Sequence, residues 1–353
     1  MGPVTSREGF LERVSVRTIH RRTDVRTLRV LDWDYVYETA ALDRFERRHD
    51  AVVEVRTVPN SATAIEQLRS DDTLDLVALG NYAVPEAIEA GLLQPLALDR
   101  LESYAAVFDQ LKRPYFEENG QVYATPRSFG QTPLCYRTDE LTQPVSWNVL
   151  QESQSTPTCF RDDAQLAGLY SALLNGRAPT VQACEAVGTD QLVDEFTRLL
   201  EPVDGLWATA AASQALFDRL EPVGIGPLWR FAARRLQRAG APVEVVRPNE
   251  GTKAWFIQFA RPATSTADDL AAAFIDAWYD WLGWESLMRR LDIPIPTADV
   301  FDQYDVERAT YGFDDFEQFI EQPALSTTAV DRYTDAWRQA KAATGLSSAG
   351  DHE

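Results

Sequence analysis

Lysine is nearly missing from this chain of 353 residues: Lys112, Lys253 and Lys341 stand among 34 basic side chains, and the rest are arginine. Against them are 54 acidic residues, for a net charge of −20. A nucleic-acid binder needs a basic footprint that displaces counterions from phosphates, so this balance excludes general nucleic-acid binding. An acidic, lysine-poor composition has two readings, solubility at high salt and GC-rich coding. The first, a halophilic host, is the expectation. The same negative surplus attracts a cationic solute at low salt, an effect screened over about 8–10 Å at ordinary ionic strength.

Histidine is almost as scarce. His20, His49 and His352 are the only three, and His49 follows Arg47-Arg48 at a helix end, where it reads as a solvated C-terminal charge. No Ser-His-Asp set, HExxH, Walker A loop or G-x-G-x-x-G is present, so no enzyme chemistry and no cofactor are expected. Cys135, Cys159 and Cys184 form no CxxC pair and read as buried small hydrophobes, with a bridge between two of them left open. No stretch approaches the roughly 18–20 apolar residues that span a bilayer. Residues 1–27 carry six arginines and no apolar core of about 7–15 residues, so they read as a poorly ordered leader and not as a secretory signal.

What is present is a run from Leu28 to Leu96 in which three short apolar segments alternate with two helical ones. Leu28–Trp33, Ala51–Val55 and Leu74–Leu79 are the strands, which gives βαβαβ and a parallel sheet. Ligands of such sheets bind beyond the carboxyl ends of the strands, where Trp33 and Gly80-Asn81-Tyr82 fall. The first strand ends in Trp, a helix closes on Phe45, and Ala90-Gly91-Leu92-Leu93-Gln94-Pro95-Leu96 follows a later helix. Tyr123-Ala124-Thr125-Pro126, the Phe129-Gly130 turn, Tyr136-Arg137-Thr138-Asp139 and Pro144-Val145-Ser146-Trp147 come next. In these segments the chain resembles the spermidine/putrescine-binding group of ABC-importer solute-binding proteins, over roughly Leu28 to Thr297.

The resemblance implies an α/β, two-lobed periplasmic-binding-protein class II fold with two hinge crossovers. Residues 28–136 and 257–300 would form the first lobe, 137–256 the second, and 301–353 a C-terminal helical segment and tail. Leu134–Arg137 and Trp255–Phe259 would run side by side as the crossovers. In the resembled group three tryptophans wall an interlobe slot, and Trp33, Trp229 and Trp255 match them. Flat rings cover the methylenes of an extended amine and attract its ammonium ends by about 0.5–2 kcal/mol each. Carboxylates then fix those ends, with Asp34 and Asp163 as the candidates. Tyr35, Tyr82, Phe129, Gln131 and Ile257 complete the expected ligand-binding set. Trp278, Trp281 and Trp284 recur every three residues on a helix and are assigned to the core.

The pattern also departs from the group. Its amine-gripping Asp after the crossover Trp is Ile257 here, a second-lobe acid is Leu166, and the Tyr before the Pro-x-Pro turn is Ile293. Arg127 and Arg161 lie near the expected slot and could bind an anion or pair with Asp163. These changes imply weaker polyamine binding, or a solute with one cationic end and a neutral or anionic remainder. The expected function is solute capture for an ABC importer, as a monomer acting with permease subunits outside the cytoplasm. The alternatives are an enzyme or ligand sensor inside the cell on the same fold, or capture of an amino acid or organic anion.

Overall fold

The computed structural model describes residues 25–33, 37–112, 117–152, 156–218, 223–313, 316 and 319–347. Strands Arg26–Trp33, Ala51–Val58 and Leu76–Gly80 are parallel, with the first in the middle. The run Leu76–Gly80 is buried throughout because both of its faces are covered, whereas Ala51–Val58 leaves Glu54, Arg56 and Thr57 exposed. Leu28 and Val30 enter one core with Ala41 and Phe45 of helix Thr39–His49. Leu31, Val77 and Leu79 enter another with Ala64 and Ile65 of helix Ser61–Ser70, which Asn60 caps by accepting the Thr63 N–H.

The long strand Thr252–Pro262 joins this sheet antiparallel to Leu76–Gly80 and to Ala124–Thr132. A five-stranded second sheet holds Val203–Trp207, Thr158–Arg161, Ile225–Pro227, Leu134–Arg137 and Val243–Val246, in that order. Each sheet has its own apolar clusters, so the molecule has two lobes.

The crossovers lie a few residues from their expected places. Trp255–Phe259 pairs with Thr125–Gly130 inside the first sheet, whereas Leu134–Arg137 pairs with Val243–Val246 inside the second. The chain changes sheets at Pro133, which has no N–H to continue a ladder, and returns through Arg247–Gly251. The first-lobe strands thus end at Thr132 and resume at Thr252, in place of 136 and 257. Trp147 anchors the return by donating its indole N–H to the Gly251 carbonyl at 2.9 Å.

A third passage follows. Strand Phe319–Glu321 pairs with Thr252–Ala254 in the first sheet, and helix Thr327–Thr344 then packs into the second lobe. Tyr333, Ala336, Trp337 and Ala340 of that helix share a core with Phe160 and Phe196. The Tyr333 ring lies so close to Gly168 that an added Cβ would sit 2.1 Å from Cε1. Alanine raises helix propensity by about 1 kcal/mol over glycine, yet Gly168→Ala is expected to destabilise by about 1–3 kcal/mol through overpacking. A urea midpoint that rises instead would show that the ring moves aside freely.

Trp278 and Trp281 are fully buried, while Trp284 stacks on Tyr304 at the core's edge. The helix carrying them widens into π-helical turns over Trp278–Leu282 and Trp284–Met288. All three cysteines are buried thiols that are not joined in a disulfide. Among the described residues no helix is long and apolar enough to cross a membrane. Most of the expected leader and the end of the tail lie outside the described residues.

Candidate functional site

Trp33 closes the central parallel strand and is half-buried. The residue before it, Asp32, is fully buried and accepts the Trp33 backbone N–H at 2.6 Å, the Tyr37 hydroxyl at 2.5 Å and Arg127 Nε at 2.9 Å. Burial pushes the Asp32 carboxyl up, opposed by the Arg127 charge and by these donors. Burial and the Asp32 charge raise the Tyr37 hydroxyl well above its usual range. Arg127 lies over Trp278, 4.8 Å from the ring centroid. It fixes the Trp33 corner of the first lobe through Nε and bonds Ser128 through Nη1, while its Nη2 is buried without an acceptor in the protein.

A second polar cluster joins the lobes. Asp163 is the N-cap of helix Ala164–Leu174, accepting the Leu166 N–H at 3.0 Å, and pairs with Arg161 at 3.4 Å. Burial raises its carboxyl, but Arg161, then Lys253, then the amides of Leu166 and Gln165 bring it below its usual value. Lys253 comes from the long first-lobe strand and is only 4% exposed. Burial lowers its ammonium from 10.5 to about 8, with Asp163 pulling upward and Arg161 pushing down. Tyr82, from the first lobe, hydrogen-bonds Ser61 and feels the charges of Asp163 and Arg161; burial raises its hydroxyl. Two cations thus share one carboxylate where the sheets meet.

Aromatic rings surround this cluster. The Arg161 guanidinium lies 4.8 Å from the Trp229 ring, which packs edge-on to Trp207 and stacks on Phe231. Side chains alternate along a strand, so Lys253 and Trp255 share a face while Ala254 and Phe256 enter the first core. The half-buried Trp255 ring covers Gly130, where any Cβ would sit 2.2 Å from its Cζ2. Glycine is needed there for close approach. Ile257 opposes Gly80 at a register shift and touches the first core while half-buried.

Other expected residues fall elsewhere. Phe129 is not in the slot: it is buried against Phe313 and Phe316, because its side chain alternates to the core face of its strand. Gln131 donates to the Gly312 carbonyl and lines a cavity of about 150 Å³ at the hinge with Pro133, Arg230 and Arg247. Asp34 and Tyr35 lie outside the described residues. Lys253 was not among the expected site residues. Its signal was the two-residue spacing from Trp255 on a strand. Arg234 and Arg238 of the second lobe also reach Asp292 of the first, at 3.5 and 2.5 Å. Among the described residues no group of three or more His, Cys, Asp or Glu side chains could hold a metal.

Two lobes joined at a hinge, with aromatic and charged side chains converging between them, define the architecture of the class II periplasmic binding proteins. Residues 40–310 match the family described as bacterial extracellular solute-binding proteins, and the chain belongs to it. It is 24% identical over 257 residues to spermidine/putrescine-binding periplasmic protein 1 of Haemophilus influenzae, covering 71% of this chain and 69% of that protein. A putative spermidine/putrescine ABC transporter from Listeria monocytogenes superposes with a TM-score of 0.74 at 16% identity, over 90% of this chain and 99% of that one. The binding protein MotA of A. tumefaciens, solved in complex with glucopine, superposes at 0.64 and 14% identity over 90% and 99%.

Proposed function

We propose that this protein captures a small organic solute between its lobes, outside the cytoplasm, and presents it to the permease of an ABC importer. The ligand would stabilise the closed form, and closure would be the signal the permease reads. The observation that carries this is the convergence of Tyr82 from one lobe, Arg161 and Asp163 from the other, and Lys253 from the strand beside the return crossover. Half-buried Trp229, against Arg161, and half-buried Trp255, on the strand face of Lys253, offer ring faces for the carbon body of a solute, and half-buried Trp33 at the end of the central strand is proposed to add a third. The relatives named for spermidine and putrescine support a polyamine-like solute as the starting class.

A thermal-shift screen at high salt, covering polyamines, amino acids and organic anions, tests the reading. A true ligand at a hundred times its dissociation constant adds about 2.7 kcal/mol of stability. It should also quench tryptophan fluorescence, and Trp255→Ala should cost about 1–3 kcal/mol of binding. If no small solute moves either signal, the protein is not a capture component.

A further inference from the structure

We infer that the solute carries a carboxylate, which Lys253 and Arg161 receive while Trp255 and Trp229 hold its organic body; this rests on the capture reading above. The charges come first. Asp163, the acid expected to grip an amine, already accepts the Leu166 amide and pairs with Arg161, and Lys253 stands beside it. A dication arriving here meets two cations and one engaged carboxylate. An oxyanion meets the reverse, an excess of positive charge in a partly desolvated place, where ionic hydrogen bonds are strongest.

The hydrogen-bond inventory points the same way independently. Lys253 is buried, and its ammonium feels the Asp163 carboxylate and the Arg161 guanidinium. The indole N–H groups of Trp33 and Trp255 are buried and find no acceptor within the protein. Beside one unpartnered side-chain carbonyl on the same strand, Gln258 Oε1, these groups are all donors. A protonated polyamine offers only further donors and can satisfy none of them, whereas carboxylate oxygens accept several at once. Ile257 and Leu166, which replace two acids of the resembled group, add no acceptor that would redress the balance.

Titration calorimetry on the full chain with putrescine, 4-aminobutyrate and succinate separates the possibilities, because these probes share a carbon count and differ in their ends. The carboxylate-bearing probes should bind about tenfold more tightly than putrescine, or better. Lys253→Met should weaken them about thirtyfold or more, Lys253→Arg should retain part of the affinity, and Asp163→Asn should not weaken them. A melting transition for each variant at least as high as the parent's keeps misfolding from imitating lost binding. Putrescine as the tightest probe, abolished by Asp163→Asn, overturns the carboxylate assignment and leaves solute capture standing. So does capture of some other solute that lacks a carboxylate. Failure of every solute in the wider screen removes both.

Discussion

Arg127→Met should destabilise the protein by about 3–5 kcal/mol at neutral pH, because it strands a buried carboxylate. Asp32 is 0% exposed, and Arg127 is the cation that faces it, at 2.9 Å. The sign of the pH dependence follows from the raised Asp32 pKa. Between the ordinary carboxyl value and the higher folded value, the folded state binds the extra proton, so stability falls as pH rises through that window. Losing Arg127 widens the window upward. The variant's deficit should therefore shrink on acidification, as Asp32 takes a proton in place of the guanidinium. Adding Asp32→Asn to Arg127→Met should recover most of the loss, since the amide oxygen still accepts from the Trp33 N–H while the amide NH2 donates to the Tyr37 hydroxyl, without a charge. Urea unfolding of the single and double variants at pH 5 and 7 measures this. A pH-independent loss would assign the effect to packing against Trp278 alone.

Lys253→Met should act in the opposite direction. Its folded value of about 8 against 10.5 means that the unfolded chain carries the extra proton between those limits. Stability therefore rises with pH through that window, and below it the buried ammonium costs about 3 kcal/mol. Methionine keeps the methylenes and removes the charge, so the variant should gain about that much at pH 7 and nothing above about pH 10.5. Urea midpoints at pH 7 and 10.5 decide it. A less stable variant at pH 7 would mean that Asp163 and Arg161 hold the ammonium productively without ligand.

The fold was largely legible because both-face burial and helical spacing are local signals. Leu28–Trp33, Ala164–Leu174 and Val243–Val246 stand close to where their patterns put them. Pro133 also carried a local signal, the missing donor, which the family likeness of Tyr136-Arg137-Thr138-Asp139 obscured. The site was less legible because its chemistry depends on contacts across the lobes. Two-residue spacing places Arg161 and Asp163 within reach of each other and Lys253 beside Trp255. Nothing local says that the second pair meets the first. Phe129 shows the converse error: beside a turn glycine it suggested a ring for the slot, yet strand alternation sends it to the core while Gly130 makes room for Trp255.

The chain passes between the lobes three times, at Pro133, at Arg247–Gly251 and between Glu321 and Thr327. Two of these tethers would leave the halves free to twist as well as fold. A third strap, seated against the first sheet at one end and sunk in the second core at the other, removes most of that freedom. What remains is a single swing, like a door on three knuckles. Under the capture reading proposed above, occupancy would be written into one coordinate, the gap between the outer rims, and a permease touching both rims would need to gauge only that width.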